Sequence, residues 1–269
     1  MGGTDDNTNF ILNCQGWSRY KADEKFLSNF KISDFPLGLA PMTGAVENIG
    51  WKDEESFYFE MLSSAKDAGF FLTIGDGCPD EKLIYGIKAL SSLKAKASVF
   101  CKPYPQEKLL DRLFWGQDVM EAGGIDIDSF NIATMRDKVH LEKKGPGELK
   151  EIKKELNSKG LPFIIKGIFN KEDIDLCSQV LPDIAYVSNH GGRIPSRRGA
   201  IADFLFQNAQ SLKSFSGQIW CDGGIRNKDD IISAAFSGAS RVLIGRPCAT
   251  ALCSEGKEGL SSLYRRLKK

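Results

Sequence analysis

Little in this sequence is in excess. Its 36 Lys+Arg are met by 35 Asp+Glu, a formal net charge of +1, so no basic field steers the chain toward nucleic acid or an anionic membrane. No basic–aromatic stripe appears either, which leaves nucleic-acid binding without support. Apolar runs are short, Phe163 to Ile165 being typical, far below the ~20 residues that span a bilayer. The seven cysteines (Cys14, Cys78, Cys101, Cys177, Cys221, Cys248, Cys253) form an odd set without a Cys-x-x-Cys pair. Neither a disulfide framework nor a zinc site reads out of that spacing, and no metal is expected. They read instead as reduced thiols packed as small apolar side chains. The polar, acidic N-terminal stretch has neither a secretory nor a myristoylation pattern, so the expected location is the cytoplasm. No proline-rich or serine-rich linker divides the chain.

The composition, 42% hydrophobic and 26% charged, is that of a folded globular protein rather than a disordered one. At 269 residues, one domain is permitted only for a few architectures, α/β barrels among them. Eight short apolar segments read as strands: Leu37–Met42, Phe70–Ile74, Ala97–Lys102, Gly124–Asp128, Phe163–Gly167, Ile184–Asn189, Gln218–Asp222 and Arg241–Gly245. Most are bounded by Gly, Pro, Asn or Asp, as buried parallel strands are. Helical patterns lie between them, notably Glu54–Ala68 and Pro146–Ser158. Asn170 and Asn227 precede acidic first turns as N-caps do, and Gly69, Gly160 and Gly238 stand where helix C-termini need positive φ. Repeated strand–helix units imply a parallel sheet. The expectation is a single-domain (β/α)8 TIM barrel over 31–269, with a doubly wound open sheet as the competitor. Residues 1–30 fall outside the alternation and are expected as an extension packed on the barrel, capping its bottom.

In such a barrel, chemistry sits at the C-terminal strand ends. The sixth strand runs into Ser188-Asn189-His190-Gly191-Gly192-Arg193. His190, one of only two histidines, is placed there as a general base, and Arg193 can hold a carboxylate bidentately. A structural His in a glycine turn is the bland alternative. The seventh and eighth strands end in Asp222-Gly223-Gly224-Ile225-Arg226 and Gly245-Arg246-Pro247. Each glycine turn leads into a helix N-terminus and offers backbone N–H groups to a phosphate, with Arg226 and Arg246 supplying charge. Lys166 ends an apolar strand, a costly place unless it meets an anion or an electron-rich ligand, or snorkels to the rim. Asp126 and Asp128 share one face of the fourth strand. One of them could orient His190; helix caps or rim salt bridges explain them as well.

Lys166, Ser188 to Arg193, Asp222 to Arg226 and Gly245-Arg246-Pro247 together resemble the FMN-dependent α-hydroxy-acid oxidase/dehydrogenase family, most closely its short bacterial members. The likeness is tight from Pro162 to Thr250 and looser from Pro36 to Asp128, through Ala40-Pro41-Met42-Thr43-Gly44, Lys102-Pro103-Tyr104 and Asp126-Ile127-Asp128. The resemblance implies FMN as cofactor and oxidation of a small 2-hydroxy acid to the 2-oxo acid, with electrons passing to oxygen or another carrier. It makes His190 the base, Arg193 the carboxylate clamp and Asp126 the support of the imidazolium. It puts Lys166 at the flavin, with Tyr104 among the catalytic residues. Pro41, Met42, Thr43, Lys102, Ser188, Gly191, Asp222, Gly223, Gly224, Arg226, Gly245 and Arg246 would hold the cofactor. The family's N-terminal substrate Tyr would be Tyr20, and its second active-site Arg would be Arg136. Ile194-Pro195-Ser196-Arg197-Arg198 stands where members often have Gln-Leu-Asp; the extra arginines either favour a larger anion or line a solvated loop. A homo-oligomer is implied as well. The alternatives are an FMN-dependent isomerase of isopentenyl-diphosphate type and a non-catalytic barrel that binds FMN or phosphate.

Overall fold

A computed structural model of the chain describes residues 7–132, 134–135, 137–194 and 196–269. Eight strands form one all-parallel sheet: β1 (Leu37–Leu39), β2 (Thr73–Ile74), β3 (Ala97–Cys101), β4 (Met120–Asp126), β5 (Phe163–Ile168), β6 (Ile184–Val187), β7 (Gln218–Cys221) and β8 (Arg241–Ile244). From β2 to β8 each pairs with its sequence neighbour, and β8 pairs with β1. The ring closes where Leu39 N donates to Phe71 O at 2.8 Å and Phe71 N to Leu37 O at 2.9 Å, just ahead of β2. The architecture is therefore the closed (β/α)8 barrel and not the open sheet.

Eleven α-helices complete the described fold: α1 (Thr8–Gly16), α2 (Glu24–Asn29), α3 (Ala45–Ile49), α4 (Glu54–Ala68), α5 (Glu81–Ser92), α6 (Gln106–Trp115), α7 (Pro146–Ser158), α8 (Lys171–Val180), α9 (Ile201–Lys213), α10 (Lys228–Phe236) and α11 (Arg246–Lys268). Local chemistry starts and stops several of them. Asn170 and Asn227 accept from the N–H groups of Asp173 and Asp230, capping α8 and α10. Gly69, at φ +99°, closes α4 in the left-handed conformation. Strands and helices trap one apolar layer between them, including Leu62, Leu90, Ile125, Leu156 and Leu205. The barrel interior holds a second, built on Phe100, Ile164, Tyr186, Trp220 and Leu243.

β4 starts earlier than its sequence pattern indicates. Gly123 and Gly124 look like a strand boundary but lie inside the strand, because a Cβ on Gly124 would stand 2.5 Å from the Phe100 ring and one on Gly123 2.6 Å from Leu156.

The described part of the N-terminal segment does not cap the bottom of the barrel. It packs on the top, where β6 and β7 end. Asn13 Nδ2 donates to Asn189 Oδ1 at 2.9 Å, and Trp17 Nε1 donates to Gly223 O at 2.9 Å. A Cβ on Gly224 would stand 1.9 Å from the Asn13 carbonyl, so this turn accepts α1 only because it is glycine. From there the chain descends the outside, with Phe26 edge-on to Phe236 of α10.

Candidate functional site

The site follows from the period of two along each strand. Phe100, Ile164, Tyr186 and Trp220 point into the barrel, so residues two positions on, Lys102, Lys166, Ser188 and Asp222, point the same way one layer higher. Asp126 follows Gly124 by the same step. A cavity opens over this layer, lined by Lys102, Asp126, Lys166, His190, Arg193 and Asp222, with Pro41, Met42 and Thr43 along one wall.

His190 sits at φ +55°, followed by Gly191 at +64° and Gly192 at +92°. A left-handed histidine is strained, and such strain gathers at functional sites. Its Nδ1 is 2.8 Å from Asp128 Oδ2, while its Nε2 lies 3.0 Å from Lys102 Nζ and 3.4 Å from Asp126 Oδ2. An ammonium has only donors, so beside Lys102 the Nε2 is an acceptor and the ring proton belongs on Nδ1, directed at Asp128. Asp128, not Asp126, is thus the residue that orients the ring. Asp126 instead bridges two lysines, Oδ2 to Lys102 Nζ and Oδ1 to Lys166 Nζ, both at 2.7 Å.

Charge explains how carboxylates survive here. Burial alone would raise Asp126, but the ammonium groups of Lys102 and Lys166 hold it well below the usual carboxylate range. Burial likewise opposes the Asp128 carboxylate, and His190 more than offsets it, leaving Asp128 lowered. Asp222 goes the other way: burial raises it despite Lys166, Ser188 Oγ at 2.8 Å and Tyr186 OH at 3.0 Å.

At the other end, Arg193, Arg226 and Arg246 gather beside the Gly223-Gly224 and Gly245 turns. Burial, and then repulsion from Arg193 and Arg226, push Arg246 down to about 10. Among the described residues no carboxylate forms an ion pair with any of the three. Such an arrangement of cations and glycine N–H groups suits a phosphate.

Several expected residues stand elsewhere. Tyr104 is outside the cavity wall: its ring lies 4.6 Å from both the Arg112 guanidinium and Lys108 Nζ, and its buried hydroxyl has no hydrogen-bond partner among the described residues. Ser188 is beneath the wall, where its hydroxyl donates to Asp222 and accepts from His190 N at 3.2 Å. Tyr20 is remote, its hydroxyl bonded to Asp203 at 2.8 Å and its ring stacked on Phe206. Arg197 is spent on Asp173 and the Gly167 carbonyl, whereas Arg198 is exposed. Arg136 lies outside the described residues. Pro41, Met42, Thr43, Lys102, Gly191, Asp222, Gly223, Gly224, Arg226, Gly245 and Arg246 all line the cavity.

Sequence reasoning missed the support behind Lys102. Arg112, wholly buried in α6, donates to both oxygens of Asp76, and Asp76 Oδ2 accepts from Lys102 N at 3.1 Å. The signal was there: Arg112 falls with Leu109 and Leu113 on the apolar face of α6, where a cation needs a buried partner.

The family profile described as FMN-dependent dehydrogenase matches residues 99–269. The chain belongs to the FMN-dependent dehydrogenase family. Bovine (Bos taurus) 2-hydroxyacid oxidase 2 is 36% identical over 108 residues, 40% of this chain and 30% of the relative. L-lactate oxidase of Nostoc sp. is 38% identical over 111 residues, again 40% of this chain and 30% of the relative. The matched segment thus spans less than a third of these relatives' length. A crystal structure of mandelate oxidase with (S)-2-phenylpropionate superposes with a TM-score of 0.74 at 21% identity, covering 99% of this chain and 84% of that one; this likeness shows the fold.

FMN is the cofactor of this family, and the residues present fit it. The arginine cluster and the glycine turns match its phosphate. Lys166 adds a buried cation to the same cavity.

Proposed function

We propose that the chain oxidises a small 2-hydroxy acid to the 2-oxo acid with FMN. The observation that carries this reading is His190: Asp128 fixes its Nδ1, and its acceptor, Nε2, met by Lys102 Nζ at 3.0 Å, faces a cavity lined by further cations. When bound, FMN supplies the two-electron acceptor for the hydrogen on the substrate's α-carbon. His190 takes the hydroxyl proton on Nε2. Asp128, and Asp126 at 3.4 Å from Nε2, then balance the imidazolium. Arg193 holds the substrate carboxylate bidentately. Lys166 holds a cation beside the cofactor, its own charge favoured because Asp126, Asp222 and Asp128 outweigh the burial that opposes it. Arg226, Arg246 and the turn glycines hold the phosphate.

The names of the relatives support this substrate class and favour oxygen as the final electron acceptor. The cysteines, all free, agree with a reducing, cytoplasmic setting, and the family likeness supports a homo-oligomer.

Purified protein is expected to be yellow and to release FMN on denaturation. Mixed anaerobically with a panel of 2-hydroxy acids, it should lose its visible flavin absorbance and yield one 2-oxo acid per FMN. A flavin that no 2-hydroxy acid bleaches would overturn the reading.

A further inference from the structure

Among the described residues, Lys102 is the one cation of the cavity that touches the base itself. We propose that it is a catalytic residue: its ammonium holds the substrate's hydroxyl oxygen while His190 removes the hydroxyl proton. This inference rests on the 2-hydroxy-acid reading above and assigns a substrate contact within the same site, in place of the cofactor contact expected for Lys102 from sequence.

The position is built rather than accidental. Lys102 ends β3 two residues after the inward Phe100, and its backbone is held on both sides. Its N–H donates to Asp76, which Arg112 fixes, and its carbonyl accepts from Tyr104 N at 2.8 Å. The side chain is buried, and Nζ divides its donors between Asp126 Oδ2 at 2.7 Å and His190 Nε2 at 3.0 Å.

A purely structural ion pair does not need this arrangement. Asp126 already has a full partner in Lys166, at 2.7 Å from its other oxygen. The second ammonium adds positive charge on the side of Asp126 that faces His190, and a lysine placed against a base is costly unless it does something there. Tyr104, the other polar side chain expected from this strand end, is turned away behind Arg112. Lys102 therefore remains as the donor that β3 brings to the base.

The geometry also states what it can donate to. Nζ and Nε2 are 3.0 Å apart. A hydroxyl oxygen about 2.8 Å from Nε2, an ordinary hydrogen-bond length, can sit at the same distance from Nζ. Such an oxygen meets both groups at once and replaces the direct Lys102–His190 contact with a bridge through itself.

The chemistry then balances. The O–H bond breaks and its proton goes to His190 Nε2. The α C–H bond breaks and its hydrogen leaves with both electrons to the flavin oxidant, while the carbon–oxygen bond becomes a carbonyl. Negative charge builds on the oxygen as its proton departs, and a compact ammonium in a buried site stabilises it there. Lys102 gains and loses no proton in this account.

The test uses the FMN-loaded protein and two variants, Lys102→Met and the charge-balanced Lys102→Met/Asp126→Asn. Three quantities are compared with wild type: bound FMN, affinity for the 2-oxo acid product read from the change in flavin spectrum, and the rate of anaerobic flavin reduction by the best 2-hydroxy acid. Removal of one donor to a developing oxyanion costs about 10²–10³ in rate. The expected result is a loss of that size in both variants, with FMN content unchanged and product affinity within a few-fold. Ethylammonium added to Lys102→Ala should restore part of the rate. Reduction as fast as wild type overturns the proposal and leaves Lys102 a structural cation. Loss of FMN from both variants also overturns it, returning Lys102 to a cofactor contact. If wild type itself is not reduced by any 2-hydroxy acid, the functional reading falls and this inference with it; unslowed variants of a working wild type remove this inference alone.

Discussion

At the scale of single residues, the site is a set of charges that make one another tolerable. Asp126 is the hinge of that set, since Lys102 and Lys166 both depend on it. Its folded carboxyl lies below its ordinary value, burial notwithstanding. It therefore contributes stability that is fully present above the unfolded value of about 3.9 and is lost as pH falls through the folded one. Asp222, raised chiefly by burial, acts in the opposite direction and is relieved by acid. Asp126→Asn should destabilise the protein at pH 7 by roughly 3 kcal/mol or more, because it strands two buried ammonium groups. It should also flatten the dependence of melting temperature on pH below about 5. Thermal melts of both proteins from pH 7 to pH 3 check this; an unchanged pH dependence contradicts it.

At the scale of elements, strand ends place the chemistry and small irregularities aim it. β5 shifts register between Lys166 and Ile168, and Gly167, at φ +97°, is the extra residue. Bulges of this kind re-aim side chains beside active sites. A Cβ on Gly167 would overlap the Asp128 carboxylate, so the bulge makes room for the group that orients His190. Gly167→Ala is expected to cost roughly 1–3 kcal/mol from backbone strain and to slow flavin reduction by displacing Asp128. Gly147→Ala is the control. Its site in α7 is open, and there the change should be neutral or stabilise by up to about 1 kcal/mol. Melting temperatures and reduction rates of the two variants decide it; equal losses in both would contradict the role given to the bulge.

The same scale shows what the sequence made legible. Glu54–Ala68 and Pro146–Ser158 are helices with the bounds their patterns indicate, because each carries its own caps and a clear apolar stripe. All eight strands stand where short apolar runs stand. The start of β4 escaped because the reason for its glycines, the Phe100 ring and Leu156, comes from other elements. His190 and the phosphate turns were legible because they occupy strand ends next to glycine. The choice of Asp128 over Asp126 was not: the sequence pattern puts both on one face of a strand, but β4 ends at Asp126 and Asp128 lies in the 3-10 turn that follows, where the period of two no longer holds. Tyr104 misled for a related reason: its ring lies against Arg112, a buried residue of another element, rather than in the cavity wall.

At the scale of the whole molecule, a closed barrel carries its site on one rim, and the N-terminal segment is part of that rim. α1 packs onto the turns after β6 and β7, which puts it next to the arginine cluster, with Phe10 4.3 Å from the Arg246 guanidinium. Among the described residues no helix is long and apolar enough to cross a membrane. Barrel, cavity and family membership support the proposal at the centre of this account, that His190, aimed by Asp128, is the base of an FMN-dependent oxidation. The most direct measurement is the rate of anaerobic flavin reduction by a 2-hydroxy acid in wild type and in His190→Gln, both loaded with FMN. A positioned general base is worth about 10²–10⁴ in rate, so His190→Gln should retain its FMN and be reduced slower by that factor. Reduction at the wild-type rate would contradict the account.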